Sequence, residues 1–216
     1  YKMSLVHKVK DIKVTKKSNN LYLIESEIEF DKSFIYKNLI PSEMIQSENK
    51  SLLLKANKVE SLEQYLKSKP ENRMEYSNAN FLLKDLIKVK DNLTKYNLMF
   101  VNIDIADFIV INDDTFVYIN YNNIYTLTAD NFINIETILE PSKLNKKGEY
   151  KQETVPFSLD IKSLYYNIAN LIFYCLFGKI YDGNKMSIHP IYYTKIYWFL
   201  ERCLEGDIND RVFLFV

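Results

Sequence analysis

The sequence predicts an α+β fold in two lobes, a reduced β-rich lobe over residues 1–57 and a mainly helical lobe over residues 58–216. Three observations predict it. The stretches before Asn57 read as strands, and the hydrophobic period turns helical after it. Two short apolar runs, Phe108–Ile111 and Phe116–Ile119, flank the polar cluster Asn112-Asp113-Asp114-Thr115, which spells a hairpin. The stretch Asp160–Phe177 is apolar on most faces, as expected of a helix at the centre of a core.

In chain order, Val9–Val14 alternates as a strand does, Leu21–Phe30 is rich in β-formers, and Phe34–Leu39 and Leu52–Lys55 are shorter runs. Ser18-Asn19-Asn20 reads as a turn between the first two. Ser61-Leu62-Glu63-Gln64 fits a capping box: the serine hydroxyl accepts from the third helical amide and the glutamine reaches back. A short helix over Leu62–Lys67 follows and ends before Pro70. A longer helix starts near Ser77–Asn80, with Phe81, Leu82, Leu86, Val89 and Leu93 at helical spacing to about Tyr96. The hairpin comes next. Residues 124–157, with Pro141, Lys146, Lys147, Gly148 and Pro156, are expected to be irregular and mobile. Gly178 suits the residue just past the central helix. A last helix over Ile191–Leu204 ends before Gly206, and Asp207–Val216 reads as a short helix or an apolar tail.

Composition excludes several classes. Lys plus Arg and Asp plus Glu number 28 each, so no global charge draws the chain to nucleic acid or an anionic membrane. The two cysteines, Cys175 and Cys203, sit in apolar contexts and are expected to be buried thiols in an intracellular reducing compartment. The longest apolar run, Leu171–Phe177, is too short to span a bilayer. All 4 glycines lie at or after Gly148, so neither a P-loop nor a G-x-G-x-x-G loop exists before it.

Three local patterns together resemble protein kinases. Phe100–Asn122 aligns without a gap on the stretch from the catalytic H-R-D loop to D-F-G. Tyr166-Asn167-Ile168-Ala169, followed by LIFYCLFG, is similar to the W-S-L-G central-helix motif with its downstream glycine. Phe199–Leu204 with Asp210-Arg211 resembles the family's C-terminal pattern. The wording LYYNIANLIFYCLF and DRVFLFV looks most like kinase-like proteins of large nucleocytoplasmic DNA viruses.

The resemblance implies a two-lobe, protein-kinase-like fold whose chemistry is degenerate. In the gapless register the catalytic aspartate falls on Asn102, the catalytic-loop lysine on Asp104, the metal-binding asparagine on Asp107, and D-F-G on Asn120-Tyr121-Asn122. Asparagine cannot act as a carboxylate base, and its neutral oxygen is a poorer Mg²⁺ ligand than a carboxylate. No lysine is singled out as the phosphate-binding one, Lys37 and Lys55 included. A register slid by two would instead place Asp104 at the catalytic position and Ile109 at the metal position.

The implied function is that of a pseudokinase: no catalytic residue, no cofactor and no metal, acting as a structural or protein-interaction module with a protein partner, in a virion or host cytoplasm. Membrane and nucleic-acid partners are not expected. The alternatives are a divergent Ser/Thr kinase with Asp104 as base and Asp107 helping to hold Mg²⁺ beside ATP, or a nucleotide-binding regulator without transfer.

Other residues have plainer readings. Asp113 and Asp114 are turn residues. His189 lacks a second ligand at metal spacing, and Cys203 belongs on an apolar helix face. Tyr192, Tyr193, Tyr197 and Trp198 form a stripe that is core plus rim. Lys8, Lys10, Lys13, Lys16 and Lys17 make a solvated basic strand pair, and Arg211 is expected to pair with Glu149 or Glu153.

Overall fold

A computed structural model describes residues 3–26, 40, 44–48, 51–144 and 155–216. The chain has a mixed α+β fold. Five strands, β1 (Ser4–Val9), β2 (Ile12–Ser18), β3 (Leu21–Ser26), β4 (Ile45–Glu48) and β5 (Ser51–Lys55), form an antiparallel sheet in the order β1-β2-β3-β5-β4. Ser18-Asn19-Asn20 makes the expected turn. The expected single strand Val9–Val14 does not form: Val9 pairs with Ile12, and the chain reverses at Lys10-Asp11. Lys10 takes a left-handed φ of 50° there. No glycine, proline or asparagine marks that reversal, and the alternation runs straight through it. The expected strand Phe34–Leu39 and residues 27–30 lie outside the described residues.

Strand β6 (Val59–Ser61) then pairs with β8 (Phe108–Ile111), which pairs with β9 (Thr115–Tyr118). The hairpin forms one residue earlier on its second strand than expected. Its turn places Asn112 and Asp113 at φ 52° and 69°, a region that Asn and Asp tolerate better than most residues. Asn112 Oδ1 accepts from the Asn57 and Lys58 amides at 2.9 and 3.2 Å, tying the turn to the entry of β6.

Helix α1 (Leu62–Lys67) carries the expected capping box, with Ser61 Oγ accepting from the Gln64 amide and Gln64 Oε1 from the Ser61 amide, both at 3.1 Å. Helix α2 (Tyr76–Thr94) packs on β9 with one face and on α3 (Lys162–Phe177) with another. Helix α3 is the buried centre, and Gly178 closes it at φ 67°, its amide donating to Tyr174 O at 2.8 Å. The last helix, α4 (Lys195–Cys203), is shorter than expected because residues Lys185–Ile191, containing Pro190, form a 3-10 turn first. The chain ends in an extended stretch after the 3-10 turn Ile208–Asp210.

One expectation fails outright. Much of 124–157 is ordered: β10 (Ile124–Leu127) and β11 (Phe132–Ile135) join β7 (Leu98–Phe100) and β12 (Phe157–Asp160) in an antiparallel sheet of order β12-β11-β10-β7. The prolines and charges near 141–156 hid the alternation of Phe132-Ile133-Asn134-Ile135, whose two isoleucines are buried. Lys146, Lys147 and Gly148 lie outside the described residues. Among the described residues no helix is long and apolar enough to cross a membrane.

Two hydrophobic clusters meet at the β8–β9 hairpin. Phe108, Val110, Phe116 and Tyr118 join the cluster built on α2, α3 and α4. Ile109, Ile111, Val117 and Ile119 join the cluster of Ile12, Val14, Tyr22 and Ile24 from the N-terminal sheet. Side chains alternate across a strand, so a two-stranded hairpin serves both cores at once.

Candidate functional site

Four polar residues of the stretch from Phe100 to Asn122 come together at the end of this hairpin away from its turn. Residue Asn102 follows β7 in a left-handed conformation, φ 50°, and its Nδ2 donates to Glu140 O at 2.5 Å. Asp104 caps a 3-10 turn, Ile105–Asp107, accepting from the Ala106 amide at 3.4 Å. Its other oxygen accepts from Ser142 Oγ at 3.1 Å and the Lys143 amide at 2.5 Å. Asn102 and Asp104 therefore hold residues 140–143 against the loop, one Asp104 oxygen doing so while the other caps its own turn.

Asp107 returns to accept from the Asp104 amide at 2.7 Å, and its second oxygen accepts from Asn120 Nδ2 at 2.7 Å. The pair spans the hairpin, and the Ile119 amide also donates to Asp107 O at 2.8 Å. Burial pushes the Asp107 carboxyl up to about 7, against the opposing pull of the Asp104 amide and Asn120. Asn120 is 2% exposed, and its Oδ1 has no partner among the described residues. These four side chains border a cavity of about 310 Å³ that Lys8, Lys10, Glu140 and Lys143 also line. The four predicted positions, Asn102, Asp104, Asp107 and Asn120, thus share one site.

A second constellation lies beside it and was not foreseen. Asp11, at the tip of the β1–β2 turn, accepts from Asn122 Nδ2 at 2.5 Å, from Ser26 Oγ at 3.0 Å and from the Tyr121 hydroxyl. Burial works to raise its carboxyl, but hydrogen bonds from Tyr121, Asn122 and Ser26 outweigh it and hold the group below the usual carboxylate value. His7 Nε2 and Ala106 O are 2.7 Å apart nearby. The N-terminal sheet is thereby latched to the segment after the hairpin. A lone aspartate among lysines gives no sequence signal for this.

Neither a family model nor a curated protein matches this chain. The site must therefore be read from its own geometry. Between the N-terminal sheet and the hairpin, the space is filled by Ile12, Val14 and Ile24 on one side and Ile109, Ile111, Val117 and Ile119 on the other, each fully buried. The inward residues of β3 are Tyr22, Ile24 and Ser26, so no lysine enters this seam from that strand. Lys55 borders a different cavity, and Lys37 lies outside the described residues. A magnesium nucleotide fits poorly here. Both Asp104 oxygens and both Asp107 oxygens already accept hydrogen bonds, where Mg²⁺ demands near-octahedral oxygen ligation. Among the described residues no group of three or more His, Cys, Asp or Glu could hold a metal.

The remaining candidates are accounted for by packing. Cys203 is buried, its thiol donates to Val212 O at 3.3 Å, and burial pushes it up to about 12. Cys175 is buried as well, with its thiol pushed higher still. His189 stacks on Tyr192. Tyr197 is core, whereas Tyr192, Tyr193 and Trp198 are exposed. Asp113 pairs with Lys58 at 2.9 Å in the turn, and Thr115 Oγ1 donates to Asp114. Lys8 and Lys13 are cross-strand neighbours, and Lys16 lies over the Tyr22 ring. Buried Arg211 donates from Nε to Glu205 O at 2.9 Å and lies over the Tyr166 ring; Glu149 and Glu153 are outside the described residues.

Proposed function

We propose that this chain is a kinase-like module that has lost phosphoryl transfer and works as a structural or protein-interaction domain. The observation that carries the reading is the filled seam: the surface on which a nucleotide base would have to lie is seven buried aliphatic side chains in mutual contact. Such a seam is close-packed, and inserting a planar ring would require separating two sheets that also share the Asp11 latch.

Further support comes from the polar residues. The position expected for a catalytic aspartate carries Asn102, bound to the Glu140 carbonyl. Asp104, the base of the rival enzyme reading, accepts three hydrogen bonds and clamps a loop. The contact between Asp107 and Asn120 supports the gapless register, because it joins the two positions that in a kinase share a metal. Here the carboxylate and amide stand in the reverse order. The exposed aromatics Tyr192, Tyr193 and Trp198 suit an interaction role, since such residues carry much of the energy where proteins meet.

The test is a transfer assay with γ-labelled ATP, Mg²⁺ and Mn²⁺, using the chain itself and generic protein acceptors. The expected result is no incorporation above a no-enzyme control. Incorporation abolished by Asp104→Asn would overturn the proposal in favour of a divergent kinase.

A further inference from the structure

The cavity floored by Asp107 and Asn120 is polarised. Its floor offers unfilled acceptors. Asn120 Oδ1 is buried with no partner among the described residues, and each Asp107 oxygen has accepted one hydrogen bond and can accept another. A buried acceptor without a donor is destabilising, so the floor favours a ligand that supplies donors. The mouth is cationic. Lys8 and Lys143 border it without an ion pair among the described residues, and Lys10 approaches Glu140 only loosely, at 3.9 Å.

We propose that this cavity binds a small molecule carrying a primary ammonium and a phosphate. The ammonium sits between the Asp107 carboxylate and Asn120 Oδ1, and the phosphate meets Lys8, Lys10 and Lys143. An ammonium suits the floor better than a divalent ion. It needs two or three acceptors with the remaining donor left to water, whereas among the described residues no group of three or more His, Cys, Asp or Glu gathers to ligate a hard cation. Charge-assisted bonds of this kind are short and strong in a buried setting. At about 310 Å³ the cavity far exceeds the roughly 30 Å³ of a single water and holds a phosphorylated aminohexose. This inference does not depend on the kinase-like reading, because it uses no nucleotide and no transfer.

The experiment is thermal denaturation and calorimetric titration of the full chain with glucosamine 6-phosphate. Glucosamine and glucose 6-phosphate each retain one half of the recognition; Mg²⁺ and MgATP serve as further arms. Glucosamine 6-phosphate is expected to raise the melting temperature in a dose-dependent way and to bind roughly tenfold or more tighter than either half. Asn120→Leu is expected to abolish the gain over glucose 6-phosphate. Lys143→Ala, at an exposed position, is expected to weaken glucosamine 6-phosphate while leaving glucosamine unchanged. Equal binding of glucose 6-phosphate and glucosamine 6-phosphate would reduce the site to an anion patch and overturn the proposal. So would a response to Mg²⁺ alone, or no response to any probe. A response to MgATP alone would overturn it too, and the proposed function with it.

Discussion

Asp11 and Asp107 lie at neighbouring points along one seam, and their surroundings act in opposite directions. Asp11 closes the seam. Three side-chain donors from two segments converge on it and hold its carboxylate charged. Asp107 floors an open cavity, where burial outweighs its two donors and raises it to about 7. One carboxylate is an architectural tie, and the other is a group whose surroundings are incomplete. The difference separates what the fold needs from what it leaves available. The aliphatic seam and its latch need nothing more, whereas the cavity retains unspent hydrogen-bonding capacity.

The largest expected effect lies in the seam. Ile109→Ala removes a fully buried side chain from between the sheets and should cost about 2–5 kcal/mol. Urea unfolding measures it, and a cost below about 1 kcal/mol would mean the two sheets do not share a close-packed core. Next comes the latch. Asp11→Ala removes the acceptor of three hydrogen bonds and should cost about 2 kcal/mol. Asp104→Ala should cost about 1–2 kcal/mol by freeing residues 142 and 143, read as faster amide exchange at Lys143 and Leu144.

The two aspartates also predict opposite pH dependences. Asp107 is raised from 3.8 to about 7, so the native state keeps a proton that the unfolded chain releases. Its contribution to stability is full below about pH 4 and declines as pH rises towards 7. Asp11 is lowered, so its contribution is full above 3.8 and is lost as pH falls through its native value. Asp107→Asn should flatten the decline between pH 4 and 7, and Asp11→Asn should remove part of the loss below pH 4. Stability curves against pH for the three proteins check both signs. The smallest effect belongs to Lys10→Ala. Its pairing with Glu140 is long and the glutamate is 75% exposed, so the change should stay within about 0.5 kcal/mol.

Much of this architecture was legible in the residues. The Ser61/Gln64 capping box, the Asn-Asp turn of the hairpin and the apolar α3 closed by Gly178 each rest on local chemistry that the chain displays directly. The site was legible in part: Asn102, Asp104, Asp107 and Asn120 were singled out, and they share one cavity. Their roles were not legible, because the partners of Asn102 and Asp104 lie some 38 residues away at Glu140 and Ser142. Asp11 was invisible for the same reason, its partners Tyr121 and Asn122 being over 100 residues distant. The reversal at Lys10-Asp11 carries no glycine, proline or asparagine, whereas the sheet formed by β10, β11 and β12 does have an Asp130-Asn131 turn, with Asn131 at φ 64°, but is obscured by the prolines and charges that follow it.

The central claim is that a filled, latched seam stands where a nucleotide would have to bind. Thermal denaturation of the intact chain across a MgATP series up to millimolar concentration tests it most directly, since a ligand of the native state raises the melting temperature by mass action. The expected result is an unchanged melting temperature throughout. A saturable rise at millimolar nucleotide, lost in Ile109→Trp, would place a nucleotide in the seam and contradict the account.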